Sequence, residues 1–248
     1  MGYCRQISAP SAEPVSLGDM KTFLSLPQSM TSMDKILTGM IQAAREIGEL
    51  LTGRALAQRK FTQVLDSHPY YTDTIQSQLA YPPSYYSLPR YSTTLWNYSQ
   101  MIKLFYSPCI SVEGMYYIGG DGQRHTMEQD VDFILDRIAE PARIFPKVGQ
   151  YWPADLYCPN AVVIDFTAGF DPEPDASPTT HTVSATLDPP NQQPSSTILP
   201  GCPQSIILAI YNLVAYWFNN RGSAGKVPEA VEQAFLSNAV VDFAPTRG

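Results

Sequence analysis

The chain has 248 residues, 44% of them hydrophobic, which is enough to build a substantial core and excludes an intrinsically disordered protein. Its net charge of −7 argues against tight nonspecific DNA binding, because such binding depends on neutralising phosphates with Lys and Arg. The acidity suits a surface that must not adhere to DNA, and it serves solubility equally well.

The cysteines and the apolar runs restrict the class of protein further. The four cysteines are far apart and include no C-x-x-C pair, which argues against a zinc site and a disulfide framework. The N-terminus lacks the apolar run of a signal peptide, and the longest apolar stretch, Ile206–Phe218, is too short to cross a bilayer. We therefore expect a cytoplasmically made protein with reduced thiols and no membrane partner.

The N-terminal quarter predicts a loose arm followed by two helices. Residues 1–14 form the arm, and Ser16 is placed to cap a short helix that Pro27 ends. The second helix spans Ser32–Gly53, with apolar residues at helical spacing that predict one buried stripe. We assign core packing in this stripe to Ile36, Met40 and Ile47. The spacing of Arg45 and Glu49 predicts an ordinary surface pair.

The middle of the chain combines strand-like sequence with two long excursions. The Tyr- and Pro-rich segment His68–Tyr98 predicts an extended loop whose aromatic rings pack either on a neighbouring subunit or on the chain itself. Ile110–Met127 predicts a hairpin that turns at Gly119–Gly122. Asp171–Pro200 predicts a second loop, rich in Pro, Ser and Thr. Further strands are predicted at 59–65, 133–136, 143–145 and 161–170.

The C-terminal part predicts two more helices. The first spans Pro203–Arg221 and has a one-sided apolar stripe, and the second begins at Pro228 and ends near Asn238. The first contributes core packing through Ile206, Ile210, Leu213 and Trp217. Because the apolar faces at the two ends of the chain can meet only if the chain returns on itself, we predict an α+β fold. Its N- and C-terminal helices form a helical bundle, with an inserted antiparallel β element and long loops.

This prediction divides the chain into five parts. They are an N-terminal arm (1–14), a helical bundle core (15–66 with 203–239), an extended aromatic loop with the β insertion (67–170), a Pro/Ser/Thr-rich loop (171–202) and a C-terminal tail (240–248).

No catalytic cluster is evident in the sequence. His68, His125 and His181 are isolated and lie outside any metal-ligand motif. Asp130 and Asp132 share a predicted strand face that could hold a divalent cation, although an ordinary solvated face is the more common reason for such a pattern. We predict a protein without catalytic residues, cofactor or metal, and a metal-dependent hydrolase is the enzyme alternative.

Three groups of segments resemble the head–tail connector (adaptor) family of tailed bacteriophages. They are Val15–Leu24 with Ile41–Arg45 and Leu51–Leu56 at the start, Trp152–Pro153 with Pro159–Phe170 in the middle, and Leu213–Arg221 with Val227–Val231 at the end. The resemblance implies a noncatalytic subunit of a homo-oligomeric neck ring, often a dodecamer, in the virion. Its implied partners are the portal protein and a downstream neck or tail protein, with DNA passing through the channel without sequence-specific binding.

The two excursions are insertions relative to the family pattern, and they would suit additional contacts between rings. By analogy with the family, the tail is the expected portal contact, through Val240, Val241, Asp242 and Phe243. The hairpin is expected to reach a neighbouring subunit or the next ring, with Tyr116 and Tyr117 as its docking residues. A stopper or tail-completion protein of the same neck is the alternative within the interaction class.

Overall fold

The computed structural model describes residues 2–68, 100–156, 159–170, 201–220 and 225–240. The eight strands are β1 (Gly2–Gln6), β2 (Arg59–Leu65), β3 (Ile102–Lys103), β4 (Cys109–Ile118), β5 (Arg124–Met127), β6 (Phe133–Asp136), β7 (Arg143–Pro146) and β8 (Val162–Ala168). The four helices are α1 (Leu17–Phe23), α2 (Asp34–Thr52), α3 (Gln204–Asn219) and α4 (Glu229–Leu236). Most of the two long excursions lies outside the described residues.

The larger sheet has five antiparallel strands in the order β1-β2-β8-β4-β5. Strand β8 lies at its centre, and only Asp165 among its seven residues is not fully buried. A nearly continuous run of apolar and β-branched residues is what a strand covered on both faces requires.

The smaller sheet has three antiparallel strands in the order β3-β7-β6 and shares one apolar core with the larger sheet. Phe133 and Ile144 of the smaller sheet belong to the same buried cluster as Phe61, Ile164 and Phe166 of the larger sheet. Alternating residues of β2 face this cluster, because successive side chains in a strand point to opposite faces.

The helices bury a second apolar cluster, formed by all four of them together with Leu56 and Phe170, which lie close to the ends of β2 and β8. Gly48 of α2 is needed for the approach of α4, since a Cβ atom there would lie 2.8 Å from the Phe235 ring and 2.9 Å from Leu56. The helices therefore form a layer attached to the sheets.

The prediction of a helical bundle of N- and C-terminal helices with an inserted antiparallel β element is wrong. The fold is sheet-rich, with two antiparallel sheets and four helices among the described residues. Residues from the expected arm and from the expected bundle core both enter the larger sheet, because β1 pairs with β2 from Gly2 opposite Leu65 to Gln6 opposite Phe61. Local periodicity can indicate a strand, but it does not indicate which distant segment pairs with it, so the extent of the sheets could not be predicted.

Several individual elements agree with the sequence. The predicted strands 59–65 and 133–136 match β2 and β6. The predicted hairpin is confirmed by the antiparallel pairing of β4 with β5, from Met115 opposite Met127 to Ile118 opposite Arg124. Ser16 caps α1, as expected, by accepting a hydrogen bond from the Asp19 amide at 3.0 Å. Gly53 ends α2 in a left-handed conformation with φ 67°.

Candidate assembly surfaces

A buried ion cluster joins the helices to the larger sheet. The carboxylate of Glu49 in α2 accepts two hydrogen bonds from the Arg59 guanidinium of β2, at 2.6 and 2.7 Å, and one from Arg45 at 2.9 Å. It also accepts the Leu56 amide at 3.0 Å, and Glu13 accepts from Arg45 at 2.8 Å.

The surface pair expected for Arg45 and Glu49 is therefore a buried structural node, with side chains 5% and 7% exposed. Both Glu49 oxygens have donors, which satisfies the carboxylate away from water. The cluster holds helix and sheet in one geometry, so surfaces on the two layers are presented as parts of one rigid body.

Trp152 holds together two residues that are distant in sequence. Its indole N–H donates to the Gln100 carbonyl at 2.6 Å, and its ring stacks on His68 with centroids 4.9 Å apart and planes 4° apart. His68 is the last described residue before the aromatic excursion, and Gln100 is the first described residue after it. Trp152 therefore contacts the chain on both sides of that segment.

His68 is buried, with the Pro153 backbone close to its ring. Burial lowers the pKa of His68 to about 4, and the Pro153 backbone only partly opposes this shift. The imidazole is therefore neutral near pH 7 and acts as a packing group between aromatic rings.

The two hairpin tyrosines point to opposite faces of the larger sheet. Tyr117 contributes to the core between the sheets and stacks on His125, with ring centroids 4.9 Å apart. Tyr116 lies on the other face, where the Arg124 guanidinium lies 3.7 Å from its ring centroid. Because neighbouring strand residues alternate in direction, the two rings belong to different surfaces. Their role in docking stays a prediction.

The start of the C-terminal tail is attached to α2. The Val240 amide donates to the Thr52 carbonyl at 2.8 Å, and Arg54 Nε donates to the Asn238 carbonyl at 2.8 Å. The tail thus leaves the described structure at the C-terminal end of α2. Three of the residues expected to dock on the portal, Val241, Asp242 and Phe243, lie outside the described residues.

The residues assigned to core packing occupy two different environments. The four on α3 (Ile206, Ile210, Leu213 and Trp217) are at most 4% exposed. On α2, Met40 and Ile47 are half-buried, and Ile36 is 52% exposed. The fully buried face of α2 is lined by Leu37, Ile41, Ala44 and Gly48, and Met40 and Ile47 pack against the edge of the same core. The assignment of Ile36 to the core is therefore wrong, because its side chain lies on the side of the helix next to this face and is largely exposed.

Further apolar side chains are exposed around the smaller sheet. Ile138, Val148 and Tyr151 lie in its flanking loops, and each is more than two-thirds exposed. Exposed apolar residues that occur in groups are typical of contact surfaces, whereas scattered ones are ordinary.

The aspartates considered for a cation site take part in separate hydrogen bonds. The shared strand face predicted for Asp130 and Asp132 is wrong, because both lie in the turn before β6. Asp132 accepts the Glu128 amide at 2.8 Å, and Asp130 accepts from the Gln129 side chain at 3.4 Å. Within the described ranges, no group of three or more His, Cys, Asp or Glu side chains could hold a metal ion. Burial also raises the pKa of Cys4, Cys109 and Cys202 to about 12, so these thiols stay protonated near neutral pH.

The described helices include none that is both long and apolar enough to cross a membrane.

Three solved chains from gene transfer agent particles share this architecture. One comes from the neck of an empty particle computed with C6 symmetry, with a TM-score of 0.61 and 17% sequence identity. A second comes from the virion of a native particle (TM-score 0.60, 16% identity), and a third from a native neck computed with C12 symmetry (0.56, 16%). Each match covers 99% of this chain and at least 99% of the other chain. The chain has their fold.

No protein-family model and no curated protein matches the sequence. At 16–17% identity, the relationship to the three solved chains is visible in the structure and not in residue identities.

The sequence did not reveal the ion cluster or the Trp152 contacts. Arg45 and Glu49 were detectable as a pair one helical turn apart, but the sequence contained no sign that Arg59 completes the cluster. Trp152 and Gln100 are 52 positions apart, so only the folded chain brings them together.

Proposed function

We propose that this chain is a noncatalytic structural subunit of the neck of a phage-like particle. Copies of it form a cyclic ring that joins the portal to the next neck or tail protein and continues the DNA channel. The proposal rests above all on the full-length fold match to chains of gene transfer agent necks.

The symmetry of the matched assemblies supports a ring. Two of the matched chains come from necks computed with C6 and C12 symmetry, and a cyclic assembly brings identical subunits into contact around a central axis. A dodecamer satisfies both symmetries, because a twelvefold ring also has sixfold symmetry.

The chemistry of the chain supports a mechanical role. The described polar clusters consist of ion pairs and packing contacts, such as Glu49 with Arg59 and His68 with Trp152. A net charge of −7 limits adhesion of passing DNA to the subunit, because the phosphate backbone is repelled and not neutralised.

Within the neck, we favour an adaptor that contacts the portal directly through the tail 240–248, because the end segments of the sequence resemble adaptors. The aromatic and Pro-rich excursions then contact neighbouring subunits or the next ring. A stopper or tail-completion protein is the second candidate, since the same fold match supports any neck layer.

Removal of the gene tests the proposed function. Particles made without the chain should contain heads and tails that remain separate, and supplying the wild-type chain should restore joined particles. Imaging of the restored particles then separates the two neck roles: an adaptor lies against the portal, and a stopper lies one layer beyond it. Normal joining in the absence of the chain would refute the proposal.

A further inference from the structure

Helix α2 carries two parallel apolar seams, and only one of them is fully buried in its own subunit. The inner seam is Leu37, Ile41, Ala44 and Gly48, all buried. The outer seam consists of Ile36, Met40, Ala43, Ile47 and Leu50, with successive spacings of four and three residues. This spacing is the heptad pattern with which one helix packs along another.

The outer seam is exposed at its two ends. Ile36 is 52% exposed and Leu50 is 82% exposed, whereas Met40, Ala43 and Ile47 between them are half-buried and also pack against the edge of the helical core. The polar face of α2, with exposed Lys35, Gln42 and Glu46, begins only beyond this seam. The apolar arc of α2 is therefore wider than the stripe that one core-facing contact needs.

Helix α3 has an outer seam of its own. Leu208, Tyr211, Ala215 and Phe218 are spaced three, four and three residues apart, on a face away from buried Ile206, Ile210 and Leu213. Leu208 is 54% exposed, and the other three seam residues are half-buried, with Tyr211 and Phe218 also packed against the edge of the helical core. Phe23 of α1, which is 45% exposed, packs against Tyr211 with ring centroids 4.9 Å apart and extends this apolar surface.

No charged residue occurs in the 16 residues of α3. A helix that faces water on one side normally carries charges there, whereas the centre of a protein–protein contact is depleted of them. The composition of α3 is therefore that of a helix covered on both sides.

We propose that the outer seam of α2 in one subunit packs along the outer seam of α3 in the neighbouring copy of this chain. The inference rests on the proposed ring function, and it names the surface that builds the ring. A cyclic ring needs two different surfaces per subunit, one for each neighbour, and this chain offers two partly exposed apolar seams on different helices. At 1.5 Å per residue the seams are about 21 Å and about 15 Å long, so they match in scale as well as in spacing.

Two single substitutions test the pairing because each places a carboxylate in one seam and leaves the other intact. Leu50→Glu alters the α2 seam, Leu208→Glu alters the α3 seam, and Gln42→Glu on the polar face of α2 is the charge-matched control. The substituted leucines are exposed, and circular dichroism with thermal unfolding should show all three variants folded like the wild type.

Sedimentation velocity on the purified full-length chains is the measurement. We expect the wild type and Gln42→Glu to associate beyond dimers with rising concentration, and each leucine variant alone to remain monomeric. An equimolar mixture of the two leucine variants should stop at a heterodimer, because one intact α2 seam meets one intact α3 seam and the remaining seams are blocked.

Self-association of either leucine variant at the wild-type level would overturn the proposal, as would a mixture that forms nothing. A wild-type chain that stays monomeric, with leucine variants that fail to restore joined particles, would assign the seams to another neck protein and also overturn it. The proposed function is tested separately, since a wild-type chain that associates through these seams but is absent from particles refutes the neck role and not the pairing.

Discussion

At the scale of single residues, Glu49 is the point at which the helices are attached to the larger sheet. Its carboxylate is 7% exposed and receives donors from Arg45, Arg59 and the Leu56 amide. Such a cluster is costly to form, but breaking it costs more, because removing the shared carboxylate leaves a buried positive charge without its counter-ion.

Glu49→Ala should therefore lower the free energy of unfolding by about 3–5 kcal/mol, since it leaves the buried Arg59 guanidinium without a carboxylate, while Arg45 keeps Glu13. Glu46→Ala is the matched control: Glu46 lies on the same helix, 3.6 Å from Arg45, but its side chain is 69% exposed. Its substitution should change stability by no more than about 0.5 kcal/mol. Chemical denaturation measures both, and equal effects of the two substitutions would show that the cluster is not a structural node.

His68 makes stability depend on pH in a defined window. The unfolded chain takes up a proton on this residue below about pH 6.5, whereas the native imidazole, with its pKa near 4, does not. Because the unfolded state binds more protons, the free energy of unfolding should fall as the pH drops from 6.5 towards 4, by up to about 3 kcal/mol from this residue.

His68→Phe keeps an aromatic ring against Trp152 and removes the titratable group. Denaturation of both proteins at pH 7 and pH 4.5 should show a smaller loss of stability in the variant than in the wild type. An equal loss in both would mean that His68 does not stay neutral in the native protein.

At the scale of elements, the contact between α2 and α4 depends on the absence of a side chain at position 48. Gly48→Ala should destabilise the protein by about 1–3 kcal/mol, because the added methyl group overlaps Phe235 and Leu56 in a packed core. Gly39 is the internal control: it lies in the same helix, and a Cβ atom there would meet no described atom within 4 Å outside the local helix backbone.

Gly39→Ala should stabilise the helix by about 0.5–1 kcal/mol, since alanine loses less backbone entropy on folding than glycine does. Thermal unfolding of the two variants compares them directly. A stabilising Gly48→Ala would contradict the close approach of the two helices.

The elements also show how far sequence reasoning reaches. The four helices were predictable because their apolar residues recur over several turns and because Pro and Gly mark their ends. The choice of the buried seam on α2 was not predictable: the inner seam from Leu37 and the outer seam from Ile36 have the same spacing. Only contact with α3 and α4 decides which of them faces inward.

The short strands were not predictable for a different reason. β1 has five residues and β3 has two, and neither is long enough to show alternation. Each belongs to a sheet because of a partner far along the chain, β2 for the first and β7 for the second. The order of strands in a sheet thus depends on contacts between distant segments. The sequence indicated the longer strands, but not that they form two sheets that make up much of the fold.

At the scale of the whole molecule, the structure specifies how the proposed portal contact should be tested. The Val240 amide donates a hydrogen bond to the Thr52 carbonyl, so a chain that ends at Val240 keeps this contact with α2. We expect this truncation to unfold at the wild-type temperature and to lose binding to portal particles in a co-sedimentation assay. Wild-type binding by the truncated chain would move the portal contact away from the tail.

The central claim is that copies of this chain form a ring in the neck of a phage-like particle. Cryo-electron microscopy of purified particles tests it most directly. We predict a cyclic layer between head and tail whose density fits the two sheets and four helices of this fold. Particles in which head and tail are joined, but in which no neck layer fits this chain, would contradict that claim.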